Sequence, residues 1–274
     1  MYTEYQPSHL LVPYIDSYWE FKGNPDYGMR IHILPDGCTD FIFTLGEVAN
    51  AVEEGSLIMQ PYRSYFVGPM TKYSELVTYT ESIHMFGVRF LPCGLSCFTN
   101  LPLHEFVNSR VSTNEMKAVF DDTFIEKLGE QKHVTDRIRV VEEYLLAYLA
   151  RHYQPADSHV AMAVNMINHS KGKRSVRSLM DDVCLCQRHF ERKFKHYTGF
   201  TPKEYSRIVK FKNAVELLRT TTSANLLTTA VDAGYYDLAH FSKEIKSMSG
   251  NTPASFLSLT VSEETTLTYI EPQR

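Results

Sequence analysis

The feature that most constrains this chain is a gapless internal match. The run His189-Phe190-Glu191-Arg192-Lys193-Phe194-Lys195-His196-Tyr197-Thr198-Gly199-Phe200-Thr201-Pro202 recurs 51 residues later as His240-Phe241-Ser242-Lys243-Glu244-Ile245-Lys246-Ser247-Met248-Ser249-Gly250-Asn251-Thr252-Pro253. Six positions are identical, and Arg192/Lys243, Phe194/Ile245 and Tyr205/Phe256 agree in character. A repeat of this kind means one supersecondary unit used twice. Each copy spells the same local structure: a short helix (Val176 to Val183, then Leu226 to Ala233), a tight turn, and a second helix. The turns are Cys184-Leu185-Cys186 and Gly234-Tyr235-Tyr236-Asp237. The second helices bury Phe190 and Phe194, or Phe241 and Ile245, spaced i and i+4 so that both lie on one face. Asp237 is suited to cap its helix, Gly199 and Gly250 to end theirs in a left-handed residue, and each Thr-Pro to open the next helix. Helix, short turn, helix is the helix-turn-helix unit, whose second helix enters the DNA major groove.

On the first recognition helix the outward residues are Gln187, Arg188, Glu191, Arg192 and Lys195. Arg and Gln reach base edges with paired hydrogen bonds, and Lys suits phosphate. Between the copies, Pro202 to Arg219 reads as one amphipathic helix carrying Tyr205, Ile208, Val209, Phe211, Ala214, Val215, Leu217 and Leu218. At 1.5 Å per residue it is a strut of ~27 Å, long enough to hold two recognition helices about one DNA turn (~34 Å) apart. Arg207, Lys210 and Lys212 on this strut are positioned to neutralise backbone phosphates.

Charge divides along the same line. Residues 1–155 carry 12 Lys and Arg against 20 Asp and Glu, and residues 156–260 carry 15 against 9. An acidic half joined to a basic one points to two domains with different partners, the basic one facing a polyanion. Gln154-Pro155-Ala156-Asp157-Ser158 breaks one helix and caps the next. The expected division is therefore residues 1–155, residues 156–260 and an acidic, Thr-rich tail at 261–274.

Residues from about 158 to 260 resemble the DNA-binding domain of the AraC/XylS family. The resemblance is carried by Phe190-Glu191-Arg192-Lys193-Phe194-Lys195, by Gly199-Phe200-Thr201-Pro202-Lys203-Glu204-Tyr205, by Ala230, Gly234-Tyr235 and His240-Phe241, and by Gly250-Asn251-Thr252-Pro253-Ala254-Ser255-Phe256. It implies a sequence-specific transcriptional regulator that places two recognition helices in adjacent major grooves. By position it implies base contacts from Gln187, Arg188, Glu191 and Arg192 in the first unit, and from Leu238, Ala239, Ser242 and Lys243 in the second. The chain departs from the family pattern at Met180, Cys184, Cys186 and Ile245, where a small residue, Gly, Ser and Phe are usual. The second recognition helix has few bidentate donors, so it is expected to work through phosphate and shape contacts.

The first ninety residues read as β structure. Arg30 to Leu34 is stopped by Pro35-Asp36-Gly37, and Asp40 to Leu45 by Gly46; further strands are expected at Ser56 to Gln60, Ser64 to Gly68, Glu75 to Tyr79 and Ser82 to Phe90. From Pro92 the period becomes helical, irregular through Met116, Val119, Phe120, Ile125 and Leu128, then regular from Ile138 to about Tyr153. The fold class expected is α+β: a sandwich- or barrel-like N-terminal domain with trailing helices, then an all-α domain of two helix-turn-helix units joined by a long helix. Leu34 to Phe41, Val67-Gly68-Pro69 and Phe86 to Pro92 resemble an N-terminal domain type found in such regulators, which implies architecture and no particular ligand. Charges at strand ends or inside apolar runs need partners. Arg89 is therefore read either as closing the sheet on a carboxylate or, with Asp40, Cys38 and Trp19, as lining an effector pocket.

Other classes are weighed against this one. Cys38 with His32 or His84 would be a nucleophile pair, and a DNA module fused to a zinc-held cysteine would be a repair protein. Cys93 and Cys97 are spaced x₃ and stand alone, so no metal cage is expected. The chain carries no phosphate loop, nucleophile elbow or His-Glu-x-x-His motif, so neither catalysis nor a cofactor is expected. A protein-interaction module without DNA binding is the third reading; Arg188, Arg192, Lys195 and Lys243 on the outward faces speak against it. Five cysteines, no basic and apolar leader and no apolar run of membrane length lead to a cytoplasmic expectation. The partners expected are double-stranded DNA, a small-molecule effector, a second copy of the chain through the helices from about 93 to 153 (the regular one at Ile138 to Leu149 being equally readable as packed inside its own domain), and RNA polymerase if transcription is activated.

Overall fold

Alternation along the strands of the N-terminal half sorts its side chains onto two faces, and each face builds its own core. In the computed structural model, residues 2–26, 30–46, 51–53, 59–78, 82–116, 119–120, 122–152, 154–220, 226–258 and 268–270 are described. One sheet has six antiparallel strands in the order β1 (Tyr2–Tyr5), β2 (Ile15–Gly23), β8 (Ile83–Phe90), β4 (Thr39–Thr44), β6 (Ser64–Val67) and β9 (Arg110–Ser112). The second runs β10 (Thr268–Ile270), β3 (Arg30–Ile33), β7 (Ser74–Thr78) and β5 (Ala51–Glu53). In β4 and β8, Phe41, Phe43, Phe86, Val88 and Phe90 join a cluster with Phe120 and Phe124, while Ile42, Ile83 and Met85 join Trp19, Ile31 and Leu76 between the sheets. Trp19 lies flat across Gly87, where a Cβ would meet its ring at 1.9 Å, so only glycine fits there.

Two helices, α1 (Asp122–Gly129) and α2 (Val134–His152), cover the outer face of the six-stranded sheet. Val141 and Leu145 are fully buried against it, so the regular stripe of α2 is spent inside its own domain. Arg137 of α2 and His84 of β8 both donate to Glu20, at 3.0 and 2.9 Å, and the His84 bond is the main influence holding the Glu20 carboxyl below its usual range. The irregular stripe before α2 is not one helix. Thr113–Glu115 is a short 3₁₀ turn and α1 begins only at Asp122, because Val119 and Phe120 turn into the core instead. The expected strand at Ser56 to Gln60 falls mostly outside the described residues, and Met59 and Gln60 are not in a strand.

The second half is helical: α3 (Ser158–His169), α4 (Val176–Val183), α5 (Gln187–Thr198), α6 (Pro202–Thr220), α7 (Leu226–Asp232), α8 (Leu238–Ser249) and α9 (Pro253–Ser258). Asp157 caps α3, accepting from the backbone of His159 and Val160, and also receives Lys193 Nζ at 2.6 Å. Thr201 and Glu204 exchange hydrogen bonds across the first turn of α6, a reciprocal cap that satisfies two donors at once. The core of this half gathers Phe190, Phe194, Tyr205, Phe211, Phe241 and Ile245 around α6, and it takes in Leu34 and Cys93 from the N-terminal half. The fold is thus α+β, with a β-rich domain and trailing helices followed by helical units.

Candidate nucleic-acid interface

The two repeats form the same succession of elements. α4 leads through Cys184 to α5, and α7 through Gly234 to α8. Both second helices start directly after an N-cap, Cys186 or Asp237, and both end on a left-handed glycine, Gly199 at φ 83° and Gly250 at φ 77°. Twelve residues separate these limits in each case, so the register of the two helices is the same. Phe190 and Phe194, and Phe241 and Ile245, anchor them to the core.

The opposite faces point outward. Gln187, Arg188, Arg192 and Lys195 are exposed and Glu191 is half-buried; Leu238, Ala239 and Lys243 are exposed and Ser242 is half-buried. Gln187 donates to Glu191 at 2.9 Å, and Arg192 lies 3.3 Å from His189 Nδ1. These side chains are therefore held by weak surface contacts that a base edge can replace.

All three of the backbone contacts expected on α6 are engaged within the chain, Lys212 with the Asp36 carbonyl of the N-terminal half. Arg207 makes two 2.9 Å bonds to Glu244 of α8, which together with its ionic attraction raise its pKa, and Lys210 donates to Gly234 O at 3.2 Å. Both tie α6 to the second unit. They border a groove with Lys173, Arg174, Lys203 and His240. Sequence reading passed over Lys173 and Arg174; the signal for them was a basic run, Lys171-Gly172-Lys173-Arg174, directly before the Ser175 N-cap.

A second site lies between the sheets. A cavity of about 670 Å³, its open mouth included, is lined by Tyr2, Trp19, Phe21, Ile42, Met85 and other apolar side chains, with Asp40, Arg89 and Arg110 at one end. Arg89 sits 3.3 Å from both Asp36 and Asp40 and 3.2 Å from Glu4, and Trp19 Nε1 donates to Asp40 at 2.7 Å. Burial pushes the Asp40 carboxyl up to about 6 against the pull of Arg89. Trp19, Asp40 and Arg89 are thus brought together, and Arg89 both closes the sheet on carboxylates and walls the cavity. Cys38 is not in the lining. It is buried behind Asp36, and burial pushes its thiol well above the usual range, the reverse of what a nucleophilic cysteine needs. His32 and His84 lie against Glu75 and Glu20 respectively.

The cavity's polar end touches the helical half. The turn at Asp36 and Gly37 reaches α6: Lys212 Nζ donates to Asp36 O at 3.3 Å, and a Cβ on Gly37 (φ 85°) would meet the Tyr205 ring at 2.7 Å. Tyr205 OH donates in turn to Asn168 at 3.0 Å.

The helix-turn-helix units are matched by a family model. Residues 179–258 match the helix-turn-helix domain family, and residues 3–112 match a family described as a domain of unknown function (DUF6597). No curated protein matches the chain in sequence. Among solved structures the chain is similar to ToxT from Vibrio cholerae, at 9% identity and a TM-score of 0.46, over 94% of this chain and 97% of that one. An unsaturated fatty acid-bound form of wild-type ToxT aligns at 12% identity and 0.43, covering 93% of each chain. A probable AraC family transcriptional regulator from Rhodopseudomonas palustris aligns at 20% identity and 0.34, over 37% of this chain and 96% of its own. The paired helices, the repeat and the family match define a double helix-turn-helix DNA-binding domain. Residues 179–258 thus belong to the helix-turn-helix domain family. Among the described residues no helix is long and apolar enough to cross a membrane.

Proposed function

We propose that the chain, with residues 1–155 as sensing unit, 156–260 as DNA unit and 261–274 as tail, inserts α5 and α8 into adjacent major grooves of double-stranded DNA. Gln187, Arg188, Glu191 and Arg192 read bases from α5; Leu238, Ala239, Ser242 and Lys243 meet them from α8; Lys195, Arg207 and Lys210 add positive charge near the backbone. The observation that carries this reading is the shared register of two outward-facing helices on one rigid α6. Selection of sequences from a random duplex library by the full chain tests it. Enrichment of a site spanning about two turns of DNA is expected; no enrichment even at low salt overturns the reading.

The effector reading is that a small, mostly apolar molecule enters the cavity between the sheets and contacts Trp19, Asp40 and Arg89. What supports it is the unbroken path Trp19, Asp40, Arg89, Asp36, Lys212, which joins the cavity wall to the helix holding both recognition helices. A ligand that moves Arg89 changes the footing of α6. Cys38 lies beside that path, behind Asp36, and not at the ligand. The chain acts in the cytoplasm by DNA binding and not by catalysis. Pairing of two copies uses the exposed side of α2, because its apolar side is buried in its own domain. RNA polymerase is the further partner where transcription is activated.

A further inference from the structure

The two recognition helices have one register and opposite chemistry at the positions nearest the bases. The first two residues after the N-cap are Gln187 and Arg188 in α5 but Leu238 and Ala239 in α8. Leu238 is 38% exposed, Ala239 is exposed, and Tyr236, one residue before the cap, is 93% exposed. Leu238 is not among the side chains of the helical core, so its side chain is available at the outward face of the helix start. A leucine or alanine offers no donor and no acceptor. The only base-edge group in the major groove that such a side chain can recognise is the thymine C5-methyl.

We infer that the second unit reads thymine methyl groups through Leu238 and Ala239, while the first unit reads donor and acceptor patterns through Gln187, Arg188 and Arg192. This rests on the DNA-binding reading above. The operator it describes is chemically lopsided: guanine- and adenine-directed hydrogen bonds at one end, methyl-directed apolar contacts at the other. On this inference Leu238 and Ala239 are specificity-determining residues, beside the phosphate and shape contacts expected of α8. Ser242 and Lys243, one helical turn on, supply the polar contacts that keep the helix in register.

The experiment takes the enriched site and replaces its thymines one at a time with deoxyuridine, which keeps every hydrogen-bonding group and removes only the methyl. For the full-length chain, binding at fixed salt is expected to fall about fourfold at each methyl that Leu238 or Ala239 covers. In Leu238→Ala the penalty at the methyls that Leu238 covers is expected to disappear while that at methyls covered by Ala239 remains, with thermal unfolding unchanged because the site is on the surface. Arg192→Ala is expected to keep the uracil penalty in full, since it acts in the other unit. An enriched site in which every thymine tolerates uracil overturns this inference and leaves DNA binding intact. The same holds if every uracil penalty persists in full in Leu238→Ala, and the apolar surface at Tyr236 and Leu238 would then belong to a protein partner. A chain that enriches no sequence at all overturns both readings together.

Discussion

The two helix-turn-helix units share a frame yet are finished differently. In the second, Gly234 takes the left-handed turn at φ 86° and Asp237 caps α8 with its side chain, accepting from His240 N at 2.7 Å. In the first, the left-handed residue is Cys184 at φ 55°, and Cys186 stands at the N-cap without a side-chain bond. The first unit is therefore built on a less favourable turn and carries the richer set of hydrogen-bonding side chains on its outward face. The second has the better turn and is fastened to α6 by Arg207 and Lys210, and to the loop before α4 by Lys173, which donates to Asp232 O. Local stability and recognition chemistry are distributed in opposite directions, and the long helix lets one unit lean on the other.

The core positions give the largest test of this contrast. Phe194 and Ile245 are equivalent and fully buried, but only Phe194 packs rings, with Phe190 at 5.6 Å and Tyr205 at 5.8 Å. Phe194→Ala is expected to lower unfolding stability by about 3–5 kcal/mol and Ile245→Ala by about 2–4 kcal/mol. Denaturant titration decides it, and equal losses would mean the two cores are interchangeable.

Base reading comes next. Arg192→Ala is expected to weaken specific binding by about 1–3 kcal/mol and relax preference at one position. Lys243→Ala, its counterpart, is expected to cost less on the specific site than Arg192→Ala, because a lysine meets a base as a single point charge where an arginine makes a bidentate pair, and to reduce the salt slope by about 1. Competition binding at several salt concentrations separates them; unchanged affinity in Arg192→Ala would remove that residue from the interface.

The turns give a smaller effect of opposite sign. Cys186→Asp supplies the missing cap and is expected to stabilise by about 1 kcal/mol. Cys184→Gly relieves the left-handed strain by about 1 kcal/mol. The melting temperature should rise for each, whereas Asp237→Ala in the second unit should lower it by a similar amount. A Cys186→Asp protein no more stable than the parent would show that the cap is satisfied in another way.

Acid gives the smallest. His196 of α5 lies 6.4 Å from His104 of the N-terminal half, and burial, then the neighbouring His104, holds its pKa below the ordinary value. The folded state thus prefers neutral His196. The stabilisation is present at neutral pH and is lost as pH falls through about 6.5, the unfolded value. An NMR titration of His196 should show the depressed value, and His104→Ala should raise it; a His196 that titrates at or above its ordinary value would remove this contact from the coupling between the halves.

Much of the helical half was legible because its signals are local. The i, i+4 pairs, the caps and the terminal glycines lie within one or two turns of the backbone they control, so the bounds of α4, α5 and α6 follow from neighbouring residues. The β-rich half was legible only where strands are apolar and flanked by turns. β1 and β9 are short, mixed edge strands, and nothing near Tyr2 or Arg110 in the chain announces the partner strand. Residues of the candidate cavity were legible as charges in need of partners, but not which partners: Asp40 and Arg89 are 49 positions apart.

By itself, then, the sequence determined the repeat, the register of the two recognition helices and the lopsided chemistry of their outward faces, since side-chain periodicity and capping act over a few residues. Tertiary structure alone decided the rest. It spent the regular stripe of α2 inside its own domain, turned Arg207 and Lys210 toward α8, and set Thr268–Ile270 beside β3. It also brought Asp36 under α6 while Trp19 and Arg89 face the cavity. Those arrangements depend on contacts closed over long stretches of chain, whose free energy is settled by packing and ion pairing among distant residues and leaves no mark on the local pattern.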